Sequence, residues 1–154
     1  MIITTQTQLN NFINGKCEKA LNKTMDRLLD KLRDFIITDV YDAYTPSFYE
    51  RTNNFINSWD KTKAQLKDEI IEAEIFQNVS VLVFNTDKFQ HGSSEWVENW
   101  NSNKNELAHI INDGAIGNAF GFPQLGERPF WNNFLQYCER EFVNIFQNEL
   151  KKLL

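Results

Sequence analysis

The first 41 residues limit the possible folds more than any other part of the chain. From Thr5 to Tyr41 there is no proline, and apolar residues fall at Leu9, Phe12, Ile13, Leu21, Met25, Leu28, Leu29, Leu32, Phe35, Ile36 and Val40. Most of these are three or four apart, the period of an amphipathic helix. Gly15 is the weak point, at about 1 kcal/mol relative to Ala. Unbroken, such a helix is roughly 50 Å long, whereas a compact domain of this size has a radius of gyration of about 15 Å. Either the helix breaks near Gly15, or part of it projects and packs on something else. The second option points to an oligomer or an assembly.

Pro46 forbids continuation of the helix, and Tyr41, Tyr44, Phe48 and Tyr49 crowd the turn around it. Strand-like patterns follow. Phe55 to Trp59 is short and mixed, Lys63 to Lys67 alternates, Ile71, Ala73 and Ile75 alternate with Glu72 and Glu74, and Val79 to Phe84 is almost continuously apolar. These predict three or four antiparallel strands with one face solvated. The stretch 85–105 is polar and rich in Asn and Ser. Within it Trp96, Val97 and Trp100 suit a short helix. Glu106 to Asn112 reads as another helical turn or two, closed by Gly114. The segment Gly114 to Gly126 holds four of the six glycines and predicts a loop. Pro129 opens a last helix to the C-terminus, with Phe130, Phe134, Cys138, Phe142, Ile145, Phe146, Leu150 and Leu153 as its stripe. The expected fold is α+β, one domain over residues 1–154. In it a small antiparallel sheet of three to four strands carries the long N-terminal helix and the C-terminal helix.

Composition narrows the function. Sixteen basic against 21 acidic residues give a net charge of −5, so the chain offers no general attraction to a phosphate backbone. The N-terminus has neither the basic start nor the apolar run of a signal peptide. No stretch approaches the roughly 20 apolar residues of a membrane span. Cys17 and Cys138 form no metal-binding spacing and are expected to be buried free thiols in a reducing compartment. The expected product is therefore soluble and made in a cytoplasm. His91 and His109 have no second ligand at a metal spacing. His109, inside ELAHIIN, reads as a satisfied structural histidine, and His91 as a solvated one. The glycines at 114, 117, 121 and 126 do not form a phosphate-binding fingerprint. Asp68, Glu69, Glu72 and Glu74 read as a solvated sheet face. The charges from Asp26 to Asp34 read as surface pairs along the helix. No catalytic residue, cofactor or metal is expected. The remaining enzyme reading is a small hydrolase using His91 or His109 with a nearby carboxylate. Aromatic residues make up 14% of the chain, and those outside the helix stripes gather in the turns and loops.

Tyr44, Pro46, Tyr49, Arg51 and Thr52 stand in YTPSFYERT, and Arg128, Pro129 and Phe130 open RPFWNNF. With a long first helix before them and LAHIINDG between them, these motifs resemble the small tail-completion and head–tail joining proteins of long-tailed bacteriophages. The resemblance spans most of the chain in order and spacing, and departs from the family in the Trp-bearing stretch 85–105. It implies a subunit of a ring, commonly a hexamer, at the head–tail junction of a virion assembled in the host cytoplasm. Such a ring caps the tail tube and contacts head connector or stopper proteins. It lets DNA pass without sequence-specific binding and does not engage a membrane. The alternative within the class is another neck component, a connector adaptor or stopper. The residues expected at subunit or partner contacts are Tyr44, Tyr49, Arg51, Trp96, Trp100, Phe120, Phe122, Arg128 and Phe130.

Overall fold

A computed structural model describes residues 3–43, 53–82, 104–114 and 126–154. Helix α1 runs Gln6–Phe35 and continues without a break as a six-residue π-helical stretch, Ile36–Tyr41. Together they extend about 54 Å. Thr5 starts the helix by accepting a hydrogen bond from the Gln8 N–H, while the Gln8 side chain takes the N–H of Thr4. This is a variant of the reciprocal Thr-x-x-Gln cap. Gly15 does not interrupt it. Of the two outcomes that length allows, the helix stays whole and its first turns project.

The chain then forms α2 (Asn54–Asn57), β1 (Trp59–Lys61), β2 (Gln65–Lys67), β3 (Ile70–Glu72) and β4 (Ile75–Gln77), followed by a 3₁₀ turn at Val79–Val81. A second 3₁₀ turn, Lys104–Glu106, leads into α3 (Leu107–Asp113), and α4 (Phe130–Lys151) ends the described chain. The architecture is α+β. The apolar run from Val79, expected as a strand, is instead a 3₁₀ turn as far as it is described. Asn78 explains this, because its Oδ1 accepts from both the N–H and the hydroxyl of Ser80 and bends the backbone. Phe55 to Ser58 likewise belongs to a helical turn, with only Trp59 entering a strand.

The four strands form two two-stranded antiparallel sheets, β1 with β4 and β2 with β3, that follow one another along one β-ribbon. β1 pairs with β4 in the register Trp59↔Gln77, and β2 with β3 in the register Gln65↔Glu72. Between these blocks the Thr62 N–H bonds the Glu74 carbonyl. From there to the Gln65↔Glu72 pair the outgoing strand takes one residue more than the returning one, which is a bulge at Lys63 and Ala64. The ribbon closes through Asp68 and Glu69, both with positive φ (47° and 69°), the conformation of a two-residue I′ hairpin. Ile71, Ala73 and Ile75 turn inward while Glu72 and Glu74 face solvent, as the alternation predicts.

One stripe of α1 holds this ribbon. Asp26 pairs with Lys61 at 3.2 Å. One turn earlier Asn22 Oδ1 accepts the Ala64 N–H at 2.9 Å, and one turn earlier again Glu18 accepts the Leu66 N–H at 3.1 Å. The bulge turns the Ala64 N–H away from its strand partner, so an α1 side chain satisfies it. The adjacent stripe, Ala20, Leu21, Met25, Leu28, Leu29, Leu32, Ile36 and Val40, is buried. Against it α4 runs antiparallel. Lys16 Nζ bonds the Leu153 carbonyl (2.6 Å), Phe35 meets Tyr137 edge to face, and Asn133 donates to Asp39 (2.8 Å). An aromatic cluster forms where α4 begins. Phe55, Trp59 and Phe130 meet edge to face, Trp59 stacks on Trp131 at 5.1 Å, and Trp131 lies against Phe134. Each fully buried side chain of this size contributes on the order of 1.5–3 kcal/mol. The Trp59 indole N–H is buried with no partner among the described residues.

The charges of α1 are divided between the surface and the tertiary fold. Lys31–Asp34 and Arg33–Asp30 are exposed pairs within the helix, worth about 0.3–0.5 kcal/mol each. Asp26 and Arg27, expected among such surface pairs, instead reach other elements. Arg27 meets the buried Glu149 of α4 at 2.8 Å, and Lys152 bonds the same carboxylate at 2.7 Å. The Lys152 hydrogen bond, with the charges of Arg27, Lys152 and Lys23, holds the Glu149 carboxyl below its ordinary value against the opposing effect of burial. A carboxyl lowered by folding adds stability that is present above the unfolded-state value, about 4.3, and is lost as pH falls through the folded value. Glu149→Gln is therefore expected to be less stable than the parent at pH 7. Denaturant midpoints should converge as the pH is taken down through the carboxylate range.

Candidate functional site

The site is assembled where α1 ends and α4 begins. α3 places Asn112 beside the start of α4, where its Oδ1 accepts the N–H groups of Trp131 (3.1 Å) and Asn132 (3.2 Å). Asn112 is buried, and its amide nitrogen donates to Asp113 at 2.6 Å. Helix starts leave four backbone donors unsatisfied. Pro129, the residue before α4, makes no side-chain hydrogen bond to its start, so an asparagine from another helix supplies the acceptor. The Arg128 N–H bonds the Ile111 carbonyl at 3.2 Å and fixes the approach of the chain.

Beside this junction lies a recess of about 400 Å³ lined by Asp39, Ala43, Gly126, Glu127, Arg128, Pro129 and Asn133. The π-helical turn brings Asp39 to Asn133, and Tyr41 accepts the Ile56 N–H through its hydroxyl (3.2 Å). The lining carries two carboxylates, one guanidinium and one amide. Among the described residues it is lined by no histidine, cysteine or serine.

Of the residues expected at contacts, Arg128 is half-buried on the rim of this recess. Phe130 is fully buried against Phe55 and Trp59, and its ring is a core element with no surface left for a partner. Tyr44, Tyr49, Arg51, Trp96, Trp100, Phe120 and Phe122 lie outside the described residues, as do Pro46, Thr52 and His91. His109, which its half-apolar helix suggests is a satisfied structural histidine, is exposed on α3. Cys17 and Cys138 are free and half-buried rather than buried. Burial pushes the Cys138 thiol up to about 11, which keeps it protonated near neutrality. Among the described residues no group of three or more His, Cys, Asp or Glu could hold a metal. No described helix is long and apolar enough to cross a membrane.

Asn112, Asp39 and Asn133 are absent from the expected set. Asn112 precedes Asp113 and Gly114 and reads locally as the punctuation that ends α3. Only the fold shows that it caps a different helix.

Fold and recess define an α+β protein in which two antiparallel helices and a β-ribbon meet beside a polar notch. The chain belongs to the YomN family, whose model matches residues 5–154. That family is phage-derived, of the SPbeta-prophage type, and makes this a phage-associated protein. No curated protein and no solved structure matches the chain.

Asn112→Ala removes the acceptor for two backbone donors at once. It is expected to lower stability by about 1–2 kcal/mol, read as a shift of the urea midpoint at unchanged slope.

Proposed function

We propose that the protein is a structural component of the virion, a tail terminator or tail-completion subunit. It forms a ring, commonly hexameric in proteins of this kind, at the head–tail junction, caps the tail tube and joins it to the head connector. The phage-derived family and the order of the sequence motifs support this reading. One geometric observation carries it. The two motifs that resemble the head–tail joining proteins are far apart in sequence, yet the described residues that border or begin them line one recess. Ala43 immediately precedes Tyr44, and Arg128 and Pro129 open the second motif. A face that the second motif opens and beside which the first motif begins suits a subunit that reads the end of a tube.

In this role the protein binds and does no chemistry on its partners. Rings arise when head-to-tail contacts between copies close, and the polar rim of such contacts suits side chains like Arg128, Glu127 and Asp39.

Electron microscopy of the purified protein mixed with tail tubes of its phage tests the proposal. Rings seated at one end of the tubes are expected, with Arg128→Glu reducing their occupancy at least tenfold. Bare tubes in the presence of folded protein would contradict it. Rings found only on head connectors would assign the chain to the adaptor or stopper class instead.

A further inference from the structure

The two edges of the β-ribbon meet different surroundings. Along the outgoing strands the outward amides of Ala64 and Leu66 go to Asn22 and Glu18 of α1. The returning strands β3 and β4 have one strand neighbour each, so each keeps a side unpaired. The Thr62 N–H bonds the Glu74 carbonyl, and the Asn78 N–H bonds the Ser58 carbonyl. In an antiparallel ladder this turns the backbone N–H and C=O of Ile75 and Gln77 outward. Leu66 stands opposite Ile71, and because the Leu66 amide faces α1, the Ile71 groups face the other way. No described element outside the ribbon bonds these three residues through their backbone. The bulge belongs to the outgoing strand, so residues 70–77 present this edge without an inserted residue.

Side chains along the open edge alternate. Ile71, Ala73 and Ile75 are half-buried toward the core, whereas Glu72 and Glu74 are exposed on the outer face. On its paired side Glu72 meets Lys67 of the outgoing strand at 3.3 Å, an opposite-charge contact between neighbouring strands. A strand added on the open side would lie beside the same two carboxylates. A second copy offering this edge antiparallel would set Glu72 and Glu74 against their own kind, which cross-strand pairing disfavours. Charged side chains on an edge are a common guard against such self-pairing. A strand with lysine or arginine at every second position meets the carboxylates with opposite charge and sets its apolar residues beside Ile71 and Ile75. The net charge of −5 favours the approach of such a segment.

We infer that the open edge of residues 71–77 is a docking site for an extended basic segment of another protein, added to the ribbon as a further strand. Backbone hydrogen bonds to Ile71, Ile75 and Gln77 hold the segment, and Glu72 and Glu74 select its alternate basic residues. The edge shares no residue with the lining of the recess, so the docking site does not depend on the ring reading.

Amide exchange of the full chain with an end-blocked peptide of alternating lysine and valine tests it. At millimolar peptide, exchange at Ile71, Ile75 and Gln77 is expected to slow at least tenfold. A peptide of alternating glutamate and valine should have no effect. The lysine peptide N-methylated at alternate amides, which keeps its charge but cannot pair as a strand, should have none either. Glu72→Lys/Glu74→Lys should reverse the preference between the lysine and glutamate peptides at unchanged circular dichroism. If the double variant unfolds, Glu74→Gln is measured in its place and should weaken the lysine peptide severalfold. No slowing by the lysine peptide overturns the inference, as does equal slowing by its N-methylated form or an unchanged response in a folded variant. Protection of the same amides that rises with protein concentration alone would assign the edge to a second copy and overturn it as well.

Discussion

The unbroken length of α1 is the constraint on which the remaining structure depends. A helix of about 54 Å is too long for a chain this size to enclose, so different stretches of it do different work. Its middle presents one stripe to α4 and an adjacent stripe to the ribbon. Glu18, Asn22 and Asp26, one turn apart, place three consecutive anchors on the outgoing strands. Short three-residue strands have little stability of their own. Here they gain it because α1 satisfies the amides that the bulge and the ribbon edge leave free.

At the far end the change from α to π geometry alters which side chains face the core. The Asp42 N–H reaches back to the Ile37 carbonyl at 2.8 Å, the wider turn that defines a π-helix. With it come the Asp39–Asn133 and Tyr41–Ile56 contacts, which tie the end of α1 to α4 and α2. The recess exists because these contacts, together with Asn112, hold the start of α4 at a fixed place. Around them the aromatic cluster of Phe55, Trp59, Phe130, Trp131 and Phe134 excludes water. The functional reading follows from this arrangement, with a rigid base that shapes a notch at one end and a projecting helix at the other.

Much of the fold was legible because long-period patterns survive tertiary context. The extent of α1, the start of α4 after Pro129 and the inward alternation of Ile71, Ala73 and Ile75 all follow from spacing. What spacing could not reveal were contacts made by single polar atoms. Asn78 diverting an apolar run into a 3₁₀ turn, Asn112 capping a helix other than its own and Asn22 receiving a bulge amide depend on where a side chain lands. Arg27 and Asp26 resemble the surface charges beside them until α4 and the ribbon are in place. For the site the sequence marked Arg128 and the proline-opened helix but assigned Phe130 to the surface. An aromatic in the first turn of a helix can face either way, and here the rings of Phe55 and Trp59 pack against it edge to face.

Amide hydrogen exchange along α1 tests the two-ended account most directly. Residues 16–41 should be protected, because α4 and the ribbon cover them within one chain. Residues 6–15, which pass beyond the end of α4, should exchange rapidly. Protection of those first turns equal to that of residues 16–41 would contradict the account.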